Sequence, residues 1–184
     1  MGEIEQLRGG IDKLDRELVS ILEKRARLAE RIGAAKARTK KPVLAPDREQ
    51  QVFDKIERLR PKTLESAELK SVFREIIQLC RAKQKIATVA YLGPEATFSH
   101  QAARRNFGAS ARYVPCRLIA EVFEAVEKEH ADYGVVPIEN SLEGAVTHTL
   151  DRFIDFKDSP VQIVGEIEFH IQHYLIAQQG APAS

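Results

Sequence analysis

The sequence predicts a two-domain chain of mixed class, α followed by α/β: three helices over residues 1–86, then an α/β unit over residues 87–184. Three observations carry this. Before residue 86, apolar residues recur at the alternating three- and four-residue spacing of a helix face. After it, the short apolar runs ATVAYL, YGVVPI and VQIVGEI alternate with helical stretches, the pattern of an α/β fold. The first helix is also far longer than the two that follow. No Gly/Ser-rich linker separates the halves at KQKIATVAYLG, so the third helix runs almost directly into the first strand.

The first helix is expected over about residues 4–38. Its seam is Ile4, Leu7, Ile11, Leu14, Leu18, Ile21, Arg25, Leu28, Ile32 and Ala35, apolar everywhere but at Arg25. Gly9, Gly10 and Gly33 each weaken it by roughly 1 kcal/mol relative to alanine, so packing must compensate. Lys41-Pro42 ends it, because the residue before a proline is driven from helical geometry. The second helix starts at Pro46, a favourable first-turn residue, with Asp47 and Glu49 suited to the positive end of the helix dipole. Pro61 stops it. The third runs from Leu64 or Ser66 to Gln84. At 1.5 Å per residue the first helix spans roughly 50 Å, more than two short helices can cover. The simplest partner for the uncovered seam is a second copy, which predicts an intertwined homodimer through helix one.

In the second half, residues 87–92 form a strand and Gly93-Pro94 a turn. Thr97 or Ser99 caps a helix that ends at Gly108. Residues 113–116 read as a strand, 119–130 as a helix and 133–138 as a strand. A helix is expected near residues 144–156, and a long strand over residues 161–176.

Composition narrows the functional classes. Lys plus Arg number 28 against 27 Asp plus Glu, a net charge of +1. That balance gives no bulk field for nucleic acid or a membrane surface. The two cysteines, Cys80 and Cys116, form no C-x-x-C pair, which argues against a disulfide framework or a zinc site. The start, MGEIEQLRGG, lacks the apolar core of a signal peptide and the hydroxyl residue of a myristoylation signal. Apolar runs are too short to span a bilayer. The expectation is a reduced, cytoplasmic protein.

The informative residues are polar ones on apolar faces. Arg25 sits within the seam, Lys36 three turns beyond it, and Arg8 beside its start. Glu49 lies one turn before the second helix's stripe of Val52, Phe53, Ile56 and Leu59. Gln84 lies one turn past the third helix's stripe of Phe73, Ile76, Ile77 and Cys80. Taken singly, each fits a structural role: a buried Arg–Glu pair sets register, and a terminal Gln marks a helix end. Together, Arg8, Arg25, Lys36 and Arg48 bring four cations toward one carboxylate, an excess that is costly to bury unless an anion arrives. This half holds no histidine, no nucleophile–base pair and no metal-ligand cluster. Such a set binds, orients and stabilises developing charge, which suits a unimolecular rearrangement of a small dianion.

The segments LRGGIDKLDRELVSILEKRARLAERIGAAK, PDREQQV and VFREIIQLCRAKQ resemble the all-helical chorismate mutases fused to prephenate dehydratase in bacteria. The resemblance lies in the joint spacing of Arg8, Arg25, Lys36, Arg48, Glu49 and Gln84. It implies a Claisen rearrangement of chorismate to prephenate in phenylalanine biosynthesis, without cofactor or covalent intermediate. It implies that Arg25 holds one substrate carboxylate and that Arg8 reaches the other from the partner subunit. Lys36 and Gln84 would donate to the ether oxygen. Glu49 would accept from the ring hydroxyl, with Arg48 shaping that end. Two positions depart from the family: Ala45 replaces an acidic residue, and Cys80 a hydroxyl-bearing one at the substrate's periphery. A related helical fold serves isochorismate pyruvate lyases, so a lyase remains a rival reading, as does a non-catalytic helical dimeriser displaying a ligand-binding half-lobe.

YLGPEATFSHQAA and YGVVPIENSLEGAV resemble two signatures of prephenate dehydratase, a two-lobed fold like that of periplasmic binding proteins. The resemblance places Ser99, Glu139, Asn140 and Ser141 at the cleft of its first lobe. The family's Thr-Arg-Phe motif is absent, and Asp151-Arg152-Phe153 shares only two of its letters. The expectation is a truncated form, with an incomplete and inactive dehydratase lobe. His170 and His173 fall on opposite faces of the expected strand, which disfavours a shared metal.

Overall fold

The computed structural model describes residues 2–39, 41–59, 61–140, 144–155, 159–168, 171 and 176, with only the backbone at Asn140 and Asp155. Helix α1 is Glu3–Arg38, α2 is Pro46–Leu59 and α3 is Ser66–Gln84, close to the expected bounds. Helix α1 is about 54 Å long. Its acidic first turn (Glu3, Glu5) and basic last turn (Lys36, Arg38) complement the helix dipole. Helix α3 begins at a capping box in which Glu65 and Glu68 each accept a hydrogen bond from the other's backbone N–H.

Helix α1 meets α3 through small residues. Ala26, Ala29 and Gly33 are its buried positions, spaced three and four apart. This face is rotated by one residue, about 100°, from the Leu/Ile seam. The seam is therefore not shared out among the chain's own helices. Ile4, Leu7, Ile11, Leu14, Leu18, Ile21, Leu28 and Ile32 are all exposed, from 51% at Ile32 to 65% at Ile4.

The α/β unit is a three-stranded parallel sheet of order β2-β1-β3, from β1 (Thr88–Leu92), β2 (Arg112–Cys116) and β3 (Tyr133–Val135). Central β1 pairs Val89 with Tyr113 and with Tyr133. Its run Val89-Ala90-Tyr91 is fully buried because both sheet faces are covered. Val89 and Tyr91 pack with Ala103 and Phe107 of α4 (Phe98–Phe107). Ala90 faces the other way, toward Val122 of α5 (Ile119–Glu127). Thr97 caps α4 by accepting from the His100 N–H, so of the two candidate caps it is Thr97. Helix α5 stops short of the expected residue 130, because Glu129 takes a positive φ of 58° and turns the chain toward β3.

Two expectations past residue 138 are corrected. The stretch expected to be helical from residue 144 opens as a hairpin, β4 (Glu139–Asn140) with β5 (Gly144–Ala145), and the helix α6 is confined to Thr147–Asp155. Gly144 has φ +78°, a turn conformation that glycine adopts without strain. Residues 161–168 of the expected long strand carry no regular secondary structure. A strand needs a neighbour for its backbone groups, and none pairs with this segment among the described residues.

The two halves share packing. Leu44, in the α1–α2 connection, is buried in the same cluster as Val89, Tyr91, Ala103 and Phe107. Its N–H donates to the Tyr133 hydroxyl at 3.2 Å. From α3, Gln78 donates to the carbonyls of Arg105 (2.7 Å) and Asn106 (3.4 Å), satisfying acceptors at the C-terminal end of α4. Lys85 pairs with Asp132.

Candidate active site

The α1–α3 contact is closest at Gly33. A Cβ there would lie 2.7 Å from the Gln84 Cα, so only glycine permits this approach. The contact brings the end of α1, and with it Lys36, over the end of α3. The Lys36 ammonium donates to the Val43 carbonyl at 2.9 Å. The Glu49 carboxylate, from the first turn of α2, enters the same region. It accepts from one Arg81 nitrogen at 2.7 and 2.8 Å to its two oxygens. The other terminal nitrogen of Arg81 donates to the Asn106 carbonyl at 3.2 Å, and the guanidinium carbon lies 5.8 Å from the Phe107 ring centroid.

The electrostatics of this group are coupled. Burial raises the Glu49 carboxyl above its usual range, and the charge and hydrogen bond of Arg81, then Lys36, oppose that rise. Burial lowers the Lys36 ammonium, Glu49 raises it, and Arg81 lowers it again. Two cations thus face one carboxylate. Among the described residues, the Gln84 Oε1 and the Arg81 Nε are buried without a hydrogen-bond partner. Such groups are costly to leave unsatisfied.

Of the residues singled out from the sequence, Lys36 and Glu49 lie close enough to act on each other's charge, and Gln84 meets α1 at Gly33, one turn before Lys36. Arg25 is half-buried eleven residues earlier on α1 and donates to the Ile76 carbonyl at 3.3 Å. Arg8 is exposed and pairs locally with Glu5 at 2.9 Å. It lies roughly 40 Å along α1 from Lys36, too far for one chain to bring both to one small ligand. Arg48 is exposed and bonds Gln51 at 3.1 Å. Cys80 is buried on α3 with a free thiol. A groove of about 120 Å³ runs beside Glu49, lined also by Leu44, Asn106, Phe107, Tyr133 and Glu166; Arg25, Lys36 and Gln84 do not line it. Within a single chain, then, Arg25 remains apart from the Lys36–Glu49–Gln84 group, and the exposed seam runs along the open side. Arg81 was not foreseen. Its signal was present, since it falls four residues past Ile77 and eight past Phe73, on the α3 stripe itself.

Of the residues expected at a second site, Ser99, Glu139 and Asn140 fall beyond the C-terminal ends of β1 and β3. Ser99 lies in the first turn of α4, just after β1, and Glu139 and Asn140 lie just after β3. In the order β2-β1-β3 the chain leaves β1 to one side and returns on the other, so these segments flank the switch point at the strands' C-terminal ends, where α/β sheets bind ligands. Glu139 is exposed and Ser99 half-buried; Ser141 lies outside the described residues, as do His170 and His173. Nearby, Tyr91 stacks on His100 with centroids 4.6 Å apart, and its buried hydroxyl has no hydrogen-bond partner among the described residues. No helix among the described residues is long and apolar enough to cross a membrane.

Comparison with known proteins agrees with both halves. Residues 89–184 match the family model described as prephenate dehydratase, and residues 7–85 that described as chorismate mutase type II. A bifunctional chorismate mutase/prephenate dehydratase of Aquifex aeolicus is 45% identical over 96% of this chain and 49% of its own length. One of Pseudomonas aeruginosa is 40% identical over 95% of this chain and 48% of its own length. Prephenate dehydratase of Streptococcus mutans aligns at 40% identity over 37% of this chain and 35% of its own, with a TM-score of 0.36. The chain spans about half the length of the curated relatives it matches. The chain belongs to the prephenate dehydratase family through residues 89–184 and carries a chorismate mutase type II domain ahead of it, the pairing named in the bifunctional chorismate mutase/prephenate dehydratases.

Proposed function

We propose that residues 1–86 catalyse the rearrangement of chorismate to prephenate, in a homodimer whose two copies share each site. The observation that supports this is the pairing of charges where α1, α2 and α3 meet: Lys36 and Arg81 act on the one Glu49 carboxylate, and Gln84 meets α1 one turn before Lys36. The reaction breaks one C–O bond as a C–C bond forms within one molecule, so no proton or cofactor need pass. Negative charge grows on the ether oxygen as its bond stretches. The Lys36 ammonium and the Gln84 amide N–H stabilise that charge more in the transition state than in the ground state, which is what lowers a barrier. Arg25 leaves the Ile76 carbonyl to hold one substrate carboxylate, Glu49 accepts from the ring hydroxyl, and Arg48 borders that end. Cys80 lines the periphery.

The dimer supplies what one chain lacks. Eight Leu and Ile residues on the α1 seam are 51–65% exposed, so burying the rest of each contributes roughly half to two-thirds of the about 1.5–3 kcal/mol of a fully exposed side chain. Over two copies that is of the size of the roughly 4–15 kcal/mol cost of association or larger. Antiparallel pairing carries the Arg8 of one copy toward the site of the other, where it holds the second carboxylate.

Residues 87–184 form the first lobe of the dehydratase, with Ser99, Glu139, Asn140 and Ser141 at its cleft. This 184-residue stretch has no Thr-Arg-Phe triplet, and by itself leaves prephenate unconverted. The protein works in the cytoplasm. The test is to follow chorismate by its ultraviolet absorbance with the purified chain. Loss of chorismate with prephenate formed supports the reading. Release of pyruvate instead points to a lyase, and no change to a binding module.

A further inference from the structure

Arg81 is the group in this region that the reaction scheme does not use. It is 6% exposed, and its guanidinium is divided between the two halves of the chain. One side grips the Glu49 carboxylate at 2.7 and 2.8 Å. The other donates to the Asn106 carbonyl at 3.2 Å and lies against the Phe107 ring. Asn106 and Phe107 are the last residues of α4, which packs on β1. Neighbouring Gln78 holds the same helix end, which seats α3 on the α/β unit independently of Arg81. Gln78 thus docks α3 without Arg81, and the Arg81 contacts add a link from the end of α4 to Glu49.

We infer that Arg81 is a positioning residue, which fixes the Glu49 carboxylate in the helical site and makes its placement depend on the docked α/β unit. The inference rests on the mutase reading for what Glu49 does, though not for the Arg81–Glu49 link itself. A guanidinium anchored at both ends cannot swing, so the carboxylate it holds is preorganised before ligand arrives. Other charged or titratable groups facing Glu49 are Lys36 from α1, and Tyr133 of β3 and Glu166 across the adjoining groove. Lys36 supports the same ionised state but bonds Val43, leaving Arg81 as the group that sets the carboxylate's direction. Burial alone favours the protonated acid, and the Arg81 charge is the largest force opposing it.

The experiment is a pH titration of Glu49 by carbon NMR in the full chain and in Arg81→Met and Arg81→Lys, beside pH profiles of kcat/KM for chorismate. In Arg81→Met the Glu49 midpoint moves to higher pH, and kcat/KM falls about tenfold more at pH 5 than at pH 8 relative to the unsubstituted chain. Arg81→Lys, which keeps a cation, recovers most of the midpoint. A folded Arg81→Met with an unchanged midpoint overturns the inference. Should that variant not fold, the unsubstituted chain decides: the Arg81 guanidinium nitrogen signals follow the Glu49 titration if the pair exists in solution, and their indifference overturns it. Absence of chorismate turnover in the unsubstituted chain would defeat the mutase reading alone, since the NMR titration is independent of it.

Discussion

Gly33 and the backbone of Gln84 touch: a Cβ at residue 33 would stand 2.7 Å from the Gln84 Cα and 2.9 Å from its Cβ. The contact fixes the end of α1 on the end of α3, and Lys36 extends from α1 one turn further on. Alanine at residue 33 would improve helix propensity by about 1 kcal/mol. Gly33→Ala nevertheless lowers stability by about 1–3 kcal/mol, because backbone must move to admit the methyl. It also lowers kcat by about tenfold, because Lys36 and Gln84 separate. Urea unfolding and chorismate kinetics on the one variant check both.

Lys36 gives a separation of activity from stability. Its ammonium is lowered by burial, so its charged form costs folding free energy at neutral pH. A lowered lysine pKa means that this cost is present at low pH and disappears as pH rises past the folded value. Lys36→Ala therefore lowers turnover about 10²–10³-fold, the usual effect of losing a donor to developing oxyanion charge. Dimer stability changes little. Equal losses in both, by thermal melting and kinetics, would return Lys36 to a structural role.

Glu49 carries the converse sign. Its folded carboxyl is raised above 4.5, so the stability it contributes is full below the unfolded value and is lost as pH climbs through the folded one. Glu49→Gln has no such titration. The difference in Tm between Glu49→Gln and the unsubstituted chain shifts in favour of the variant as pH rises from 4.5, then levels off. Calorimetry across that range checks it.

The seat of α3 on the α/β unit depends on Gln78 and Gly108. Gly108 has φ +80°, and a Cβ there would meet the Gln78 Oε1 at 2.6 Å. Gln78→Ala leaves the Arg105 carbonyl without this donor and lowers stability by about 1–3 kcal/mol. Gly108→Ala costs at least as much, because strain at a positive φ adds to the clash. Chemical denaturation of the two variants tests the order.

How much of this was legible in the sequence depends on the range of the forces involved. The three helices were, because period, proline stops and first-turn acids act locally. So were β1, a continuous apolar run before the Gly93-Pro94 turn, and β2, which starts one residue ahead of its expected bound. Gly144 was misread because a glycine at a helix start and one in a tight hairpin look alike until the chain pairs. Residues 161–168 have the β-branched composition of a strand, yet composition supplies no partner strand. Leu44 was illegible for another reason: nothing near it in sequence says that a connecting loop enters the core of the other half. The seam showed Arg25 clearly, but the small-residue face of Ala26, Ala29 and Gly33 beside it, which makes the contact with α3, did not stand out against it. Arg81 lies on the α3 stripe, but its partners Glu49 and Asn106 are 32 and 25 residues away, so no local signal marks it.

The central claim, a site completed by a second copy, is tested most directly by mixing two inactive chains. Arg8→Ala and Lys36→Ala each disable every site of their own homodimers. In a mixed dimer, one site takes its Lys36 from the first variant and its Arg8 from the second, and is whole. After subunit exchange the equimolar mixture should regain about a quarter of unsubstituted mutase activity, since half the dimers are mixed and each has one working site. A mixture no more active than its components would contradict the account.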